Sequence, residues 1–316
     1  MSSPEVAFLF PGQGSQSVGM GKLMAEEFSQ AREVFREADE SLGFSLSTLC
    51  FEGPEEKLRL TELTQPAILA TSLACERVLR SKGLAPAWVA GHSLGEYSAL
   101  VSASSLRLAD AVGVVNRRGR FMQEAVPVGQ GAMAALLGLS SEAVEALCRE
   151  EAKGEILSAA NFNAPDQTVI AGATAAVERA TRAAPTRGAR RAITLPVSAP
   201  FHCELMAAAQ VRLAPELSST PFKDLECPLV GNVDALPVTS GEKARENLIR
   251  QITAPVRWEA GVRELHRLGA RRFVEVGPGR VLSGLVRRIL PEAKVYNVED
   301  PASLEKTLRQ LQEEVA

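Results

Sequence analysis

The chain has 316 residues, 46% of them hydrophobic, and a formal net charge of −3 at pH 7. This is enough apolar material for one large domain or two ordinary ones, and it argues against intrinsic disorder. Lysines and arginines are scattered rather than clustered, so we expect no nucleic-acid partner.

The five cysteines are odd in number and contain no C-x-x-C pair. The sequence therefore predicts neither a disulfide framework nor a metal site. The amino-terminal residues lack a basic stretch and a cleavage site, and no apolar run is long enough to cross a bilayer. We expect a cytoplasmic protein without a membrane partner, and we expect it to be a monomer.

Short apolar runs that end at glycine alternate with helical patterns along much of the chain. The runs are residues 6–10, 88–90 and 272–276, and each fits a strand buried within a parallel sheet. Helical patterns continue to about residue 48 and again over residues 65–82, and residues 303–315 read as a terminal helix. This alternation predicts an α/β fold.

The middle of the chain has a different order of elements. Strands are predicted at residues 133–137, 156–161, 168–171 and 192–197, and helices at residues 141–151 and 174–184. The order β-α-β-β-α-β is that of a ferredoxin-like unit. We therefore predict a small subdomain over residues 127–197, inserted into a larger one formed by residues 1–126 and 198–316.

Residues 91–95 read GHSLG and follow a predicted strand. They match G-x-S-x-G, the sharp turn from strand to helix that exposes a serine hydroxyl beside a helix N-terminus. Ser93 is therefore a candidate nucleophile. The alternative is an ordinary turn in which this serine only caps the next helix.

A serine nucleophile needs a base, and the chain has three histidines. On a tight turn the side chain of His92 should point away from that of Ser93, and His266 lies at the edge of a helical apolar stripe. His202 follows two prolines in a predicted loop, where catalytic groups are often presented. It is the best candidate base, with a role in capping the helix from Glu204 as the alternative.

Attack on an acyl group also requires N–H donors for the oxyanion. The backbone N–H of Leu94 is one candidate. Residues 11–16 read PGQGSQ after the first strand, and their glycines let the backbone approach a ligand closely. As a phosphate-binding loop this stretch lacks the Lys-Ser/Thr ending and the third glycine, so a nucleotide is a weak alternative.

Arg118 lies on the apolar stripe of a predicted helix, whereas Arg117 and Arg120 project from other faces and are expected to be solvated. An inward-facing arginine needs an anionic partner, because an unpaired buried charge is very unfavourable. That partner is either a carboxylate of the protein or a carboxylate of the substrate, held bidentately.

Together these motifs resemble the malonyl-CoA:acyl carrier protein transacylase family, the acyltransferases of fatty acid and polyketide synthesis. The similarity covers essentially the whole chain. Its motifs are FPGQGSQ at 10–16, TQPA at 64–67, GHSLGEY at 91–97, RG at 118–119 with MQ at 122–123, PFH at 200–202, GNV at 231–233, Gln251, and EVGPG at 275–279.

The resemblance implies an α/β-hydrolase-like large subdomain with an inserted ferredoxin-like one. It further implies that Ser93 takes malonyl from malonyl-CoA as an ester and passes it to the phosphopantetheine thiol of an acyl carrier protein. His202 would be the general base, and Gln251 would orient it through a backbone carbonyl rather than through an aspartate. No cofactor is implied beyond the two substrates.

The same resemblance implies the remaining site residues. The N–H groups of Gln13 and Leu94 would form the oxyanion hole, and Arg118 would hold the malonyl carboxylate. The ring of Phe201 would crowd a branched α-carbon and so favour malonyl. Three further positions are carried over as substrate-binding residues, with Asn232 lying near the histidine: Gln65, Met122 and Asn232. The thiol of Cys203, next to the histidine, is expected to be inert packing.

Two other functions use part of the same pattern. A serine hydrolase of similar fold would release free acid from an ester or thioester, and it differs only in whether water reaches the acyl-enzyme. A carrier-protein docking module without catalysis would require neither Ser93 nor His202.

Overall fold

The computed structural model describes residues 5–197 and 199–313, and ten strands in these ranges form two sheets. In chain order the strands are β1 (Val6–Phe10), β2 (Trp88–Gly91), β3 (Gly131–Leu137), β4 (Leu157–Ala164), β5 (Gln167–Ala173), β6 (Arg191–Thr194), β7 (Leu229–Val230), β8 (Pro237–Val238), β9 (Arg272–Val276) and β10 (Lys294–Val298).

Fourteen α-helices lie in the same described ranges. They are α1 (Lys22–Glu27), α2 (Ser29–Leu42), α3 (Leu46–Glu52), α4 (Glu55–Leu58), α5 (Thr61–Ser81), α6 (Gly95–Ser102), α7 (Leu108–Glu124), α8 (Ser141–Ala152), α9 (Thr174–Ala183), α10 (Ala207–Ser219), α11 (Gly241–Gln251), α12 (Trp258–Arg267), α13 (Val281–Ile289) and α14 (Pro301–Glu313). Short 3₁₀ helices span Ala184–Arg187 and Glu204–Met206.

The larger sheet has the strand order β10-β9-β1-β2-β7-β8 and is parallel except for β8. All five residues of β1 are buried, because side chains alternate between the two faces and helices cover both. Phe8 and Phe10 belong to the core shared with α2, α5, α6 and α7. Ala7 and Leu9 face the opposite core, which α12 and α13 complete.

The smaller sheet has the strand order β4-β5-β3-β6 and is antiparallel throughout. A separate apolar cluster lies beneath helices α8 and α9, with Leu147 and Val177 among its buried members. The chain order of these elements and their order in the sheet are those of a ferredoxin-like unit. The unit lies between Gly131 and Thr194.

The two sheets are joined by backbone hydrogen bonds. Val256, in the segment between α11 and α12, donates its N–H to the carbonyl of Ala160 at 2.9 Å and accepts the N–H of Phe162 at 2.9 Å. Residues of β3, β4 and β5 also pack against the core of the larger sheet. The smaller unit is therefore seated on the larger one along β4.

The predicted fold class is confirmed, and the differences concern short elements and boundaries. The last strand of the small unit ends at Thr194 rather than at residue 197, since Pro196 has no N–H to continue the ladder. Strands β7, β8 and β10 were not predicted. Strands β7 and β8 have only two residues each, which is too few to show an alternation of buried and exposed side chains. Residues 314–315 of the predicted terminal helix lie outside the described residues.

Within the described part of the chain, no helix has both the length and the apolar character needed to cross a membrane.

Two glycines at the turn from β2 to α6 have a steric role. A Cβ at Gly91 would lie 1.9 Å from the carbonyl group of Gly95, and a Cβ at Gly95 would lie 2.0 Å from the carbonyl oxygen of Phe10. Both distances are far below van der Waals contact, so a side chain would force the backbone apart. Between them Ser93 adopts a left-handed φ of 52°.

We predict that Gly95→Ala lowers the free energy of unfolding by about 1–3 kcal/mol, because the methyl group must displace β1. Gly284→Ala is the matched control, since Gly284 also lies in a helix but a Cβ there would meet no atom within 4 Å. It should raise the free energy of unfolding by roughly 0.5–1 kcal/mol. Urea denaturation measures both, and equal effects would contradict the steric explanation.

Candidate active site

Ser93 lies between the end of β2 and the start of α6. Its hydroxyl is 2.7 Å from Nε2 of His202, and it also accepts a hydrogen bond from Nη2 of Arg118 at 3.1 Å. The residue at the N-cap of α6 is Leu94, and no side-chain cap bond is present there. The alternative of a capping serine is therefore wrong.

His202 meets Ser93 from a loop 109 positions later in the chain. It is 3% exposed and adopts a left-handed φ of 59°. Its Nδ1 lies 2.8 Å from the backbone carbonyl oxygen of Gln251. A carbonyl oxygen only accepts, so Nδ1 carries the proton and the lone pair of Nε2 faces the serine hydroxyl. Both ring nitrogens are thus engaged, and the imidazole does not cap the helix from Glu204.

The pKa of His202 is lowered from 6.5 to about 3. Burial is the main cause, because it disfavours the charged ring, and the positive charge of Arg118 adds to it. The hydrogen bond to Gln251 acts in the opposite direction. The imidazole is therefore neutral at physiological pH and has a lone pair available for a proton.

Arg118 is 1% exposed and lies on the buried face of α7. Its Nη1 donates to Oε1 of Gln65 at 2.8 Å, and its Nη2 donates to Oε1 of Gln251 at 2.9 Å. The guanidinium also lies over the ring of Tyr97, 5.5 Å from the centroid. Its hydrogen-bond partners among the described residues are all neutral. The guanidinium therefore forms no direct ion pair with these residues and can bind an anion.

A second set of polar groups supports Ser93 and His202 from behind. Oδ1 of Asn232 accepts the backbone N–H of Ser93 at 2.7 Å, and Nδ2 of Asn232 donates to the carbonyl of Gly91 at 2.7 Å. Nε2 of Gln251 donates to Glu96 at 2.9 Å and to the Ser93 carbonyl at 3.1 Å. These bonds hold the turn around Ser93 in place, and they hold Gln251, whose backbone carbonyl orients the His202 imidazole.

A cavity of about 110 Å³ connects most of these groups. The predicted residues that line it are Gln13, Gln65, Ser93, Leu94, Arg118, Met122, Phe201 and His202. Gln251 and Asn232 lie behind its wall, where they contact the lining residues. A second, larger cavity of about 450 Å³ shares the lining residues Gln13, Leu195 and Val197 with it. The site is thus a small chamber with a larger cavity beside it.

Leu94 is the N-cap residue of α6, so its backbone N–H lies at the positive end of the helix dipole. Gln13 follows β1, and the chain there passes close to the turn, since a Cβ at Gly12 would lie 2.5 Å from the carbonyl oxygen of His92. Both backbones therefore border the chamber next to Ser93. Gln65 contacts Sδ of Met122 at 3.9 Å as well as Arg118.

The other predicted side chains are placed as follows. His92 points away from the serine, with Nε2 at 2.8 Å from Oδ1 of Asn163. Burial raises the pKa of the Cys203 thiol to about 11, and its Sγ donates to the carbonyl of Pro200 at 3.1 Å. Arg120 is exposed as expected, but Arg117 is only partly solvated, because it forms an ion pair with Glu216 at 2.9 Å.

Besides Tyr97, five residues of the site were given no role by the sequence analysis. Four line the chamber from the small unit and its return segment: Met133, Asn161, Leu195 and Val197. The fifth is Glu96, which is 0% exposed and hydrogen-bonded to the backbone N–H of Asn232 at 3.1 Å and to Gln251. An acidic residue in the otherwise uncharged helix α6 was the available signal.

Comparison with known proteins gives a consistent result. The model of the acyl transferase domain matches residues 7–313. The malonyl CoA-acyl carrier protein transacylase of Bacillus subtilis is 46% identical over 311 residues, 98% of each chain. The protein of that name from Escherichia coli K12 is 47% identical over 305 residues, 96% of this chain and 99% of the relative.

Two solved structures of malonyl transferases have the same fold as this chain. An acyl carrier protein S-malonyltransferase from Vibrio cholerae superposes with a TM-score of 0.94 at 46% identity, covering 96% of this chain and 99% of the other. A malonyl-transacylase in complex with its type II PKS acyl-carrier protein also has a TM-score of 0.94 at 46% identity, covering 97% of this chain and 99% of the other.

We predict that the His202 ring stays neutral down to about pH 5, as a histidine pKa well below the usual 6.5 requires. Arg118→Gln should raise this pKa, because it removes a nearby positive charge, while burial keeps it below 6.5. NMR of ¹⁵N-labelled histidine measures both values. Arg120→Gln, at an exposed position of the same helix, is the control. A wild-type pKa near 6.5, or no change in Arg118→Gln, would contradict this account.

Proposed function

The chain belongs to the acyl transferase domain family, among the malonyl-CoA:acyl carrier protein transacylases, and we propose that it works through an acyl-enzyme on Ser93. It transfers malonyl from coenzyme A to an acyl carrier protein, in fatty acid or polyketide synthesis. The observation that carries the mechanism is the contact of 2.7 Å between the Ser93 hydroxyl and the neutral imidazole of His202.

In the first half-reaction, Oγ of Ser93 attacks the thioester carbonyl of malonyl-CoA while Nε2 of His202 takes the hydroxyl proton. A carbon–oxygen bond forms and the carbon–sulfur bond breaks. The proton then passes from His202 to the departing coenzyme A thiol. The hydrogen bond from Nδ1 to the Gln251 carbonyl supports this role, because it keeps the lone pair of Nε2 directed at the serine.

The negative charge that develops on the carbonyl oxygen needs two donors. We propose the backbone N–H groups of Leu94 and Gln13, which border the chamber from the N-terminus of α6 and from the loop after β1. Donors fixed in the backbone cost no reorganisation when the charge forms, and each contributes on the order of 10²–10³ in kcat.

Arg118 binds the malonyl carboxylate in this proposal. Its two terminal nitrogens are held by neutral acceptors at 2.8 and 2.9 Å, so a carboxylate provides the charged partner that the buried guanidinium lacks. Gln65 holds the guanidinium in place, and Met122 and Phe201 form apolar walls beside it. The Phe201 ring restricts the space at the α-carbon, which disfavours branched acyl groups by about 1–3 kcal/mol.

Binding of malonyl at Arg118 also affects the base. The charge of Arg118 is, after burial, a cause of the lowered pKa of His202. An anion at the guanidinium offsets this charge, so we propose that the substrate raises the pKa of His202 towards the range in which proton transfer is efficient. Acyl groups without a carboxylate lack this effect.

In the second half-reaction, the phosphopantetheine thiol of the carrier gives its proton to His202, and its sulfur attacks the ester carbonyl. A carbon–sulfur bond forms, the bond to Ser93 breaks, and the proton returns to the serine oxygen. The chamber is lined by Met133, Leu195 and Val197 besides the polar groups. Such a lining supports transfer over hydrolysis, because it limits the access of water to the ester.

These steps balance with two protein side chains and two substrates, so we propose that no cofactor takes part. We also propose that the protein acts in the cytoplasm. All five cysteines are free thiols and four are buried, which suits a reducing compartment.

We predict that Ser93→Ala forms no malonyl adduct with malonyl-CoA, because the attacking oxygen is absent. Intact-protein mass spectrometry measures the adduct. The matched control is Ser98→Ala on the same helix, whose buried hydroxyl has no hydrogen-bond partner among the described residues. Radiolabelled malonyl-CoA with holo carrier protein should label the carrier, whereas label released as free malonate would identify a hydrolase instead.

We further predict that Arg118→Ala lowers kcat/KM for malonyl-CoA roughly ten- to hundredfold relative to acetyl-CoA. A hydrogen bond to a charged group contributes about 1.5–3 kcal/mol, and acetyl offers no carboxylate to form it. Arg120→Ala, an exposed arginine of the same helix, controls for general loss of charge. An unchanged ratio of malonyl to acetyl would mean that Arg118 is a structural residue.

A further inference from the structure

Glu96 is a buried carboxylate to which the reaction steps above assign no role. It is 0% exposed, three residues after Ser93 on α6. One oxygen, Oε2, accepts both the backbone N–H of Asn232 at 3.1 Å and Nε2 of Gln251 at 2.9 Å. Oε1 has no hydrogen-bond partner among the described residues. A buried carboxylate with only two donors requires an explanation.

The orientation of the Gln251 amide explains why a carboxylate stands here. Arginine carries donors only, so the amide oxygen of Gln251 must face Arg118. Its NH₂ group is then directed to the other side, where it meets Oε2 of Glu96. The Gln251 amide thus lies between the positive and the negative group and connects two buried charges that do not touch.

The same contacts reach both residues of the proposed acyl transfer. The backbone carbonyl of Gln251 holds Nδ1 of His202, and the Asn232 side chain holds the backbone N–H of Ser93. Glu96 contacts both supports and neither reactive atom. Its negative charge strengthens the bond from the Gln251 amide, since hydrogen bonds to ionised acceptors are about twice as strong as neutral ones.

We propose that Glu96 is a positioning residue. The charge of its ionised carboxylate fixes the Gln251 side chain, and it thereby positions the Arg118 guanidinium and the His202 imidazole, both of which Gln251 holds, for acyl transfer. This inference rests on the proposed function. It also identifies the carboxylate that offsets the buried Arg118 charge before substrate arrives, acting across one amide rather than by direct contact.

A dependence on pH follows from this arrangement. Burial raises the pKa of Glu96 to about 7, against the hydrogen bonds from Gln251 and Asn232. The charged and titratable groups that interact with it are Arg118, Tyr97 and Asp234, the last paired with Arg250 at 2.8 Å. His202 is linked to it only through Gln251. His202 titrates at about 3 and Tyr97 at about 12, and Arg250 keeps the pKa of Asp234 below its usual value. In the substrate-free protein, Glu96 is the only one of these groups that changes charge between pH 6 and 9.

The test is the single-turnover rate of malonyl-enzyme formation from malonyl-CoA between pH 6 and 9, followed by rapid quench and mass spectrometry. In the wild type the maximal rate should rise with pH through about 7, because deprotonation of Glu96 restores the charge. In Glu96→Gln the maximal rate should be about tenfold lower at pH 8 and independent of pH. The malonyl-CoA concentration at half-maximal rate should not rise, since removing an anion near Arg118 does not weaken the binding of another anion.

Glu76→Gln is the matched control. Glu76 is 1% exposed, and its Oε1 accepts from Nε of Arg80 and from Oγ of Ser102 at the far end of α6. This variant loses a buried carboxylate with two donors on one oxygen but should keep the wild-type rate and pH profile per folded molecule. Circular dichroism checks the folded fraction of each variant.

Each result decides the question. The inference would be overturned if Glu96→Gln reacted at the wild-type rate, or if its maximal rate still rose with pH through about 7. It would also be overturned if the maximal rate of the wild type were constant from pH 6 to 9. The last result needs no variant, so the test holds even if Glu96→Gln does not fold. A wild-type protein that takes no malonyl at any pH would instead overturn the proposed function, and this inference with it.

Discussion

The burial of the Arg118 guanidinium is the constraint around which the rest of the site is organised. A charge that is 1% exposed is very unfavourable unless it is compensated. Compensation here comes from the amide oxygens of Gln65 and Gln251, from the Ser93 hydroxyl and from the Tyr97 ring. The Ser93 hydroxyl is also the proposed nucleophile, and Gln251 also holds His202 through its backbone carbonyl, so charge compensation and chemistry share two residues.

The two residues whose side chains meet both have strained backbones. Ser93 and His202 both have left-handed φ values, 52° and 59°, although neither is glycine. Such conformations cost on the order of 1–3 kcal/mol each and persist only where the surroundings hold them. At the turn, that restraint comes from the close approaches at Gly91 and Gly95, from the Ser93 N–H bond to Oδ1 of Asn232 and from the bond that Nδ2 of Asn232 donates to the Gly91 carbonyl.

The chamber exists because two sheets meet. Met133 of β3 and Asn161 of β4 form part of its wall, while Ser93 and Arg118 come from the larger sheet and its helices. The backbone bridge at Val256 joins β4 to the larger unit only five positions after Gln251. The carbonyl that orients the imidazole therefore lies close in the chain to the junction of the two units.

Local periodicity predicted the buried strand β1 and the inward face that carries Arg118, and the G-x-S-x-G motif indicated the turn around Ser93, because all three depend on neighbours within a few residues. The two-residue strand β7 pairs only because β2 offers it an edge. The family resemblance had already paired Ser93 with His202, and the tertiary structure brings them together across 109 positions. Only the tertiary structure showed that Gln251 meets Glu96 and the Ser93 carbonyl, across 155 and 158 positions. A period of 2 or 3.6 residues assigns a face to a side chain, but it holds no information about a partner so distant in the chain.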